Sequence, residues 1–277
     1  ERLVGSEMCI RDRDMPHFNV LEYEPLLDSS CMGPENWIQI ANDIESNYLL
    51  YDGFVVIMGT DTMAYASSAL SFMLENLGKT VVFTGSQIPF CDIYTDARRN
   101  LLVSMIIAAS SDIPEVCLCF NDKVLRANRA VKVDSHGLDA FISPNFPQLA
   151  TLGASIQASR ELLLTPPRSS FRTHKTLEAN VIVLKLVPGF DDEAIEALIK
   201  HSNSLKAIVL ELYGTGKPQH SIVVPDDDGC PSDDAGNGPS RKASLINALR
   251  GGDMTTEACS TKLAYLLGKL KDPVMVR

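Results

Sequence analysis

The chain has 277 residues, 45% of them hydrophobic and 22% charged, with a formal net charge of −10. At about 150 residues per domain, this is one large or two medium domains of ordinary globular composition. The acidic balance excludes the basic face that nucleic acid or an anionic membrane surface would require, and leaves a small polar substrate open.

The seven cysteines are scattered and include no C-x-x-C pair, which points to a reducing compartment and gives no metal-site spacing. Neither a signal-peptide pattern nor an apolar stretch of membrane-spanning length is found, so a cytoplasmic protein is expected.

In chain order, residues 1–13 (E-R-L-V-G-S-E-M-C-I-R-D-R) show neither strand nor helix periodicity and are read as a non-native segment. Residues 17–24 (H-F-N-V-L-E-Y-E) are a short strand candidate. Residues 25–30 (P-L-L-D-S-S) form a polar turn that leaves Asp28, Ser29 and Ser30 on a connecting loop, where a plain turn and helix entry would also account for them. Pro34 suits a first helical position, and Trp37, Ile40, Ala41, Ile44 and Tyr48 then recur at helical spacing.

Residues 54–58 (F-V-V-I-M) carry no polar alternation, so both faces of this run should be buried, as in a central parallel strand. The run stops at Gly59-Thr60-Asp61-Thr62, and residues 64–76 read as the helix that follows. A hydroxyl and a carboxylate then stand at a carboxyl strand end beside a helix N-terminus, where open α/β sheets bind small ligands. The same residues also fit a local role, with Thr60 or Thr62 capping the helix and Asp61 favouring its positive end.

The pattern repeats. Residues 80–84 (T-V-V-F-T) end in Gly85-Ser86-Gln87, residues 96–109 read as a helix, and residues 115–120 form a third buried run ending in Asn121-Asp122. Cys117 and Cys119 alternate within it and are expected on one buried strand face. Strands alternating with helices indicate βαβ crossovers and a parallel sheet, whose polar carboxyl ends share one edge. Residues 123–139 look like a hairpin or edge excursion rather than core, and Lys132 within them reads on composition as a solvated strand residue.

The proline pair in 166–170 (P-P-R-S-S) cannot continue a helix or a central strand, which places a boundary near it. Residues 180–186 and 206–212 read as strands, 191–201 as a helix, 219–240 as a disordered loop, 242–249 as a resumed helix and 255–267 as a final amphipathic helix. The expected layout is a larger N-terminal domain over 14–164 with a mainly parallel sheet, a linker over 165–178, and a smaller α/β domain over 179–277.

Four motifs occur in order: P-L-L-D-S-S at 25–30, G-T-D-T-M at 59–63, F-T-G-S-Q-I-P at 83–89 and L-Y-G-T-G at 212–216, followed by G-G-D-M-T-T-E-A from Gly251. Together they resemble the bacterial-type L-asparaginases, nearest to the cytosolic, type I-like branch. The resemblance implies an α/β amidohydrolase that turns asparagine into aspartate and ammonia with no metal or organic cofactor. It implies a homodimer or homotetramer in which each site is closed by a neighbour's smaller domain. By motif, Ser29 and Ser30 match the loop that holds the substrate α-carboxylate, and Thr60 and Asp61 match a catalytic threonine and the carboxylate that grips the α-amine. Lys132 matches the family's buried lysine by its offset from Asn121-Asp122. The chemistry needs these residue types, because a carboxamide is a poor electrophile and a hydroxyl must be activated by an adjacent base whose proton affinity is managed by neighbours.

Two departures accompany the resemblance. Family members begin with a strand ending in a T-G-G-T-I-type motif, whose threonine is the candidate first nucleophile, followed by a lid carrying a tyrosine. The 277 residues contain neither, so the N-terminal domain is expected to lack its first strand and the polypeptide to be inactive by itself. An acidic stretch also separates L-Y-G-T-G from Asn237-Gly238-Pro239-Ser240, which looks like its usual continuation. Alternatives within enzymes are a glutaminase-asparaginase or an amidotransferase subunit, and outside them a non-catalytic amino-acid-binding remnant.

Overall fold

The structure is a computed structural model and describes residues 15–110, 113–153, 155–190, 192–202, 204–212 and 251–270. Pro34 opens helix α1 (Pro34–Asn47), and the Asn36 side chain accepts the Gly33 N–H at 3.0 Å, so the chain enters the helix with its cap donor satisfied. Ile40, Ala41 and Ile44 form the buried face of α1. There follow β1 (Gly53–Ile57), α2 (Met63–Met73), β2 (Leu74–Glu75), β3 (Thr80–Thr84), α3 (Ala97–Ser110), β4 (Val116–Phe120), β5 (Lys123–Arg126), β6 (Val131–Lys132), β7 (Phe141–Ile142), β8 (Ala150–Leu152), β9 (Ile156–Ala158) and β10 (Arg172–Thr173). Next come β11 (Val181–Lys185), α4 (Asp192–His201), β12 (Ala207–Glu211) and α5 (Thr256–Lys269).

The main sheet runs β1-β3-β4-β5-β8-β9. Its first three strands are parallel, with Val55 opposite Val82 and Val82 opposite Cys117, and its last three pair antiparallel. The expected βαβ alternation is therefore present, and Gly59 and Gly85 leave the sheet at one edge. Every residue of β3 and β4 is buried, and Cys117 and Cys119 lie together in a core with Val82, Ile107, Val124 and Leu149. Parallel strands covered on both faces explain why these two runs lack polar alternation.

Three expectations need correction. β1 is an edge strand rather than a central one: its residues are half-buried and Ile57 is 64% exposed, because no strand among the described residues pairs along its outer side. Residues 17–24 form no strand. With no neighbouring strand among the described residues to supply a ladder, Phe18, Val20 and Leu21 lie exposed. Residues 123–130 are not an excursion from the core, since β5 lies inside the sheet with Val124 and Leu125 buried, and Ala127 and Ala130 are buried after it. A hairpin is present, but it joins β4 to β5 and its turn precedes the stretch where one was expected: Asn121 there takes a positive φ of 52°, a conformation asparagine tolerates better than most residues.

The described residues fall into two units. The first runs to Lys175 and takes in Asp253–Thr261, and the second begins at Thr176 and takes in the chain from Lys262. In the second, β11 and β12 pair in parallel from Val181 opposite Ala207 to Lys185 opposite Glu211, with α4 as the connection between them. α5 begins in the first unit, where the Thr255 hydroxyl accepts the Ala258 N–H at 3.2 Å and the Ser68 and Thr261 hydroxyls stand 2.9 Å apart. The loop expected at 219–240, the helix expected at 242–249 and Tyr213 to Gly216 of the fourth motif lie outside the described residues.

Candidate active site

Three loops of the first unit meet where β1 and β3 end. The first is the turn at Ser29–Cys31, a single 3-10 turn whose cap is Asp28. Asp28 Oδ1 accepts the Ser30 N–H at 2.9 Å, and this hydrogen bond holds the Asp28 carboxyl below its ordinary range. Ser29 is buried, and its carbonyl accepts the Thr62 hydroxyl at 2.6 Å. The second loop, Gly59 to Thr62, lies against it so closely that a Cβ on Gly59 would stand 2.5 Å from Ser29 Oγ. Any larger residue there would push the two loops apart.

Of the local roles open to Thr60 and Thr62, neither hydroxyl caps α2. Thr62 occupies the cap position but spends its hydroxyl on Ser29, with no side-chain cap bond. Thr60 is buried, donates its hydroxyl to Gln87 Oε1 at 3.2 Å and accepts from Lys132 Nζ at 2.8 Å. Lys132 also reaches Asp61 Oδ1 at 2.7 Å. Its side chain is only 17% exposed, against 60% for Asp61, so the solvated-strand reading of Lys132 fails. The short pairing of β6 with β7, Lys132 opposite Phe141, brings the lysine to this point from 72 residues away along the chain.

The third loop, after β3, holds Gln87. Its backbone N–H and that of Ile88 donate to the Asp96 carboxylate at 3.0 Å each, and Asn100 Nδ2 donates to Asp96 Oδ2 at 3.1 Å and to the Gly85 carbonyl at 2.9 Å. Gly85 has no room for a side chain, because a Cβ would fall 2.3 Å from the Met58 carbonyl oxygen. Gln87 Nε2 donates to the Gly137 carbonyl at 3.0 Å. Gly137 closes a turn whose Asp134 carboxyl is held low by the Gly137 and His136 N–H groups.

Of the residues singled out from sequence, Ser29, Thr60, Asp61 and Lys132 come together, whereas Ser30 is exposed with its described hydrogen bonds confined to its own turn. Sequence reasoning assigned no role to Gln87 or Asp96. The signal available was the polar Gly85-Ser86-Gln87 cluster at a carboxyl strand end. Chemically, the cluster joins a buried hydroxyl, an ammonium and a half-open carboxylate, the set needed to move a proton to and from a hydroxyl beside a charged ligand.

The family model described as "Asparaginase, N-terminal" matches residues 6–164. The chain is similar to mouse 60 kDa lysophospholipase, 40% identical over 272 residues that cover 91% of this chain and 47% of that protein. It therefore spans about half of that relative's length. Against Escherichia coli L-asparaginase 1 it is 40% identical over 285 residues, 95% of this chain and 82% of the other. The crystal structure of L-asparaginase I from Vibrio cholerae O1 superposes with a TM-score of 0.74 at 34% identity, covering 92% of this chain and 81% of that one. No helix among the described residues is long and apolar enough to cross a membrane. With the motifs, the mixed α/β fold and these relatives in agreement, the chain belongs to the asparaginase family.

Proposed function

We propose that the protein is an amidohydrolase that converts asparagine and water to aspartate and ammonia, with Thr60, Lys132 and Asp61 as its proton-transfer relay. One observation carries the reading: a single, largely buried lysine stands 2.8 Å from Thr60 Oγ1 and 2.7 Å from Asp61 Oδ1. The relatives named as asparaginases support the reaction class.

A carboxamide yields to a hydroxyl or a water only if a base removes the proton as the new bond forms. Lys132 in its neutral form is the base within reach of Thr60, and Asp61 stabilises it whenever it is charged. The exposed side of Asp61 suits a substrate α-ammonium, and Ser29 with Ser30 suits the α-carboxylate. Backbone N–H groups at the start of α2 suit the negative charge that develops on the carbonyl oxygen. This chemistry draws on no metal and no organic cofactor. A cytoplasmic homodimer or homotetramer is the assembly that accompanies this reading.

The 277 residues contain no T-G-G-T-I-type motif. The polypeptide by itself is therefore proposed to hold the amino-acid head group without turning it over. The test measures ammonia release from asparagine, with calorimetry of aspartate binding beside it, for this polypeptide and for one in which residues 1–13 and 216–251 are replaced by the relatives' sequence. Ammonia from the replaced form alone is expected. Equal turnover by both would show that the nucleophile lies elsewhere in the chain, and ammonia from neither would remove the amidohydrolase reading.

A further inference from the structure

Asn100 stands behind the site rather than in it. It is 2% exposed on α3, and the nitrogen and the oxygen of its side-chain amide are taken up by three different segments. Nδ2 donates to the Gly85 carbonyl at 2.9 Å and to Asp96 Oδ2 at 3.1 Å, and Oδ1 accepts the Asn121 N–H at 3.1 Å. A flipped amide would set its oxygen against the Gly85 carbonyl and the Asp96 carboxylate and its NH₂ against the Asn121 N–H, so one orientation alone satisfies all three partners. The end of β3, the start of α3 and the β4–β5 turn are thereby joined at one buried point. From Gly85 the path to Thr60 is short. A Cβ on Gly85 would fall 2.3 Å from the Met58 carbonyl oxygen, and the Met58 N–H donates to the Thr84 carbonyl at 3.0 Å. On its other side the same run is stopped by the first loop, where Gly59 abuts Ser29. Met58 to Thr60 is therefore held between two walls, and Asn100 fixes one of them.

We infer that Asn100 is a positioning residue of this site: by holding Gly85 it fixes the backbone of Thr60, and with it the 2.8 Å separation of Thr60 Oγ1 from Lys132 Nζ. Lys132 arrives on β6, which pairs with β7, and the Asn100 side chain makes no hydrogen bond to either strand among the described residues. A shift of the Gly85 loop therefore moves Thr60 and leaves Lys132 in place. Such a displacement costs rate, because the proton passes only over a hydrogen-bond distance. Asn100 touches neither the Thr60 hydroxyl nor its hydrogen, which passes to neutral Lys132 as the relay requires. The catalytic consequence rests on the amidohydrolase reading, whereas the placement of Thr60 does not.

The experiment replaces the amide by a group of the same shape that pH can switch. In Asn100→Asp the new carboxyl keeps an acceptor for Asn121 and, while protonated, a donor for Gly85. Once ionised it turns a negative oxygen to the Gly85 carbonyl and to Asp96. Burial and the Asp96 carboxylate raise its pKa, while Arg99 and Asp122 at the same junction are paired with each other. In the 277-residue polypeptide carrying Asn100→Asp, the Thr60 backbone amide signal should move with the midpoint of the new carboxyl's own carbon-13 signal, a midpoint absent from the wild type. In the form that releases ammonia, kcat of Asn100→Asp should lie within about threefold of wild type below that midpoint and about tenfold to a hundredfold under it above the midpoint. Asn100→Leu should show the full loss on both sides. Aspartate affinity should stay within about fivefold in both variants, which also shows that they fold, since Ser29 and Ser30 lie on a loop that Asn100 does not touch. A kcat ratio for Asn100→Asp that is flat across the midpoint, or a Thr60 signal that does not follow it, overturns the inference, and neither measurement needs the leucine variant to fold. If no form releases ammonia, the amidohydrolase reading fails while the Thr60 signal still decides whether Asn100 places Thr60.

Discussion

At the scale of single residues, burial sorts side chains of one type into different chemistry. Cys31 and Cys91 are exposed, whereas Cys117 and Cys119 are buried in the core. Burial pushes the Cys117 thiol well up and the Cys119 thiol to about 11, since a thiolate in apolar surroundings goes unsolvated. At pH 8, therefore, iodoacetamide should alkylate Cys31 and Cys91 in the folded protein and leave Cys117 and Cys119 untouched until denaturant is added. Mass spectrometry of the peptides reads this directly, and labelling of Cys119 at the rate of Cys31 would contradict it. The same sorting explains what was legible in the site. Thr60 and Asp61 could be found because a hydroxyl and a carboxylate interrupt an apolar run. Lys132 could be found only through its resemblance to a family position, since composition gave a solvated lysine. Gln87, which contacts Thr60 at 3.2 Å, escaped because a neutral glutamine leaves no mark of charge or spacing.

At the scale of elements, runs apolar on both faces were read well where neighbours exist on both sides. β3 and β4 are such strands, and Phe83 within β3 is fully buried. Phe83→Ala should cost about 3–5 kcal/mol in urea denaturation, as expected for emptying a packed aromatic site. A loss below about 1 kcal/mol would mean that the site collapses around the change or that β3 is less enclosed than its burial indicates. The misreadings have equally local causes. β1 has the same apolar composition as β3 but stands at the sheet edge, and composition does not say which strand is outermost. β5 carries Lys123 and Arg126 at its ends, which hid the buried Val124 and Leu125 between them. Arg126 is itself taken up by Glu115 at 2.6 Å, so its charge marks an ion pair 12% exposed rather than a solvated face. Residues 17–24 alternate as a strand would, but alternation without a partner strand yields only exposed extended chain.

For the whole molecule, the parallel order β1-β3-β4 sets the ends of β1 and β3 side by side, and the β4–β5 hairpin returns the chain toward Lys132. The mixed α/β class and the alternation that produces it were legible from periodicity alone, because buried parallel strands and amphipathic helices differ in period. The site was not, because its members come from Ser29, Thr60, Gln87 and Lys132, and only the folded sheet brings them together. The central claim is that Thr60 and Lys132 act as one relay. Its most direct test is a double-mutant cycle on ammonia release from asparagine, in the form carrying the relatives' terminal and 216–251 sequence. Thr60→Val and Lys132→Met should each lower turnover by about 10² to 10⁴, and the double variant should be no worse than the poorer single one, as for residues that work as a unit. A double variant whose loss equals the product of the two single losses would show that the two residues act independently.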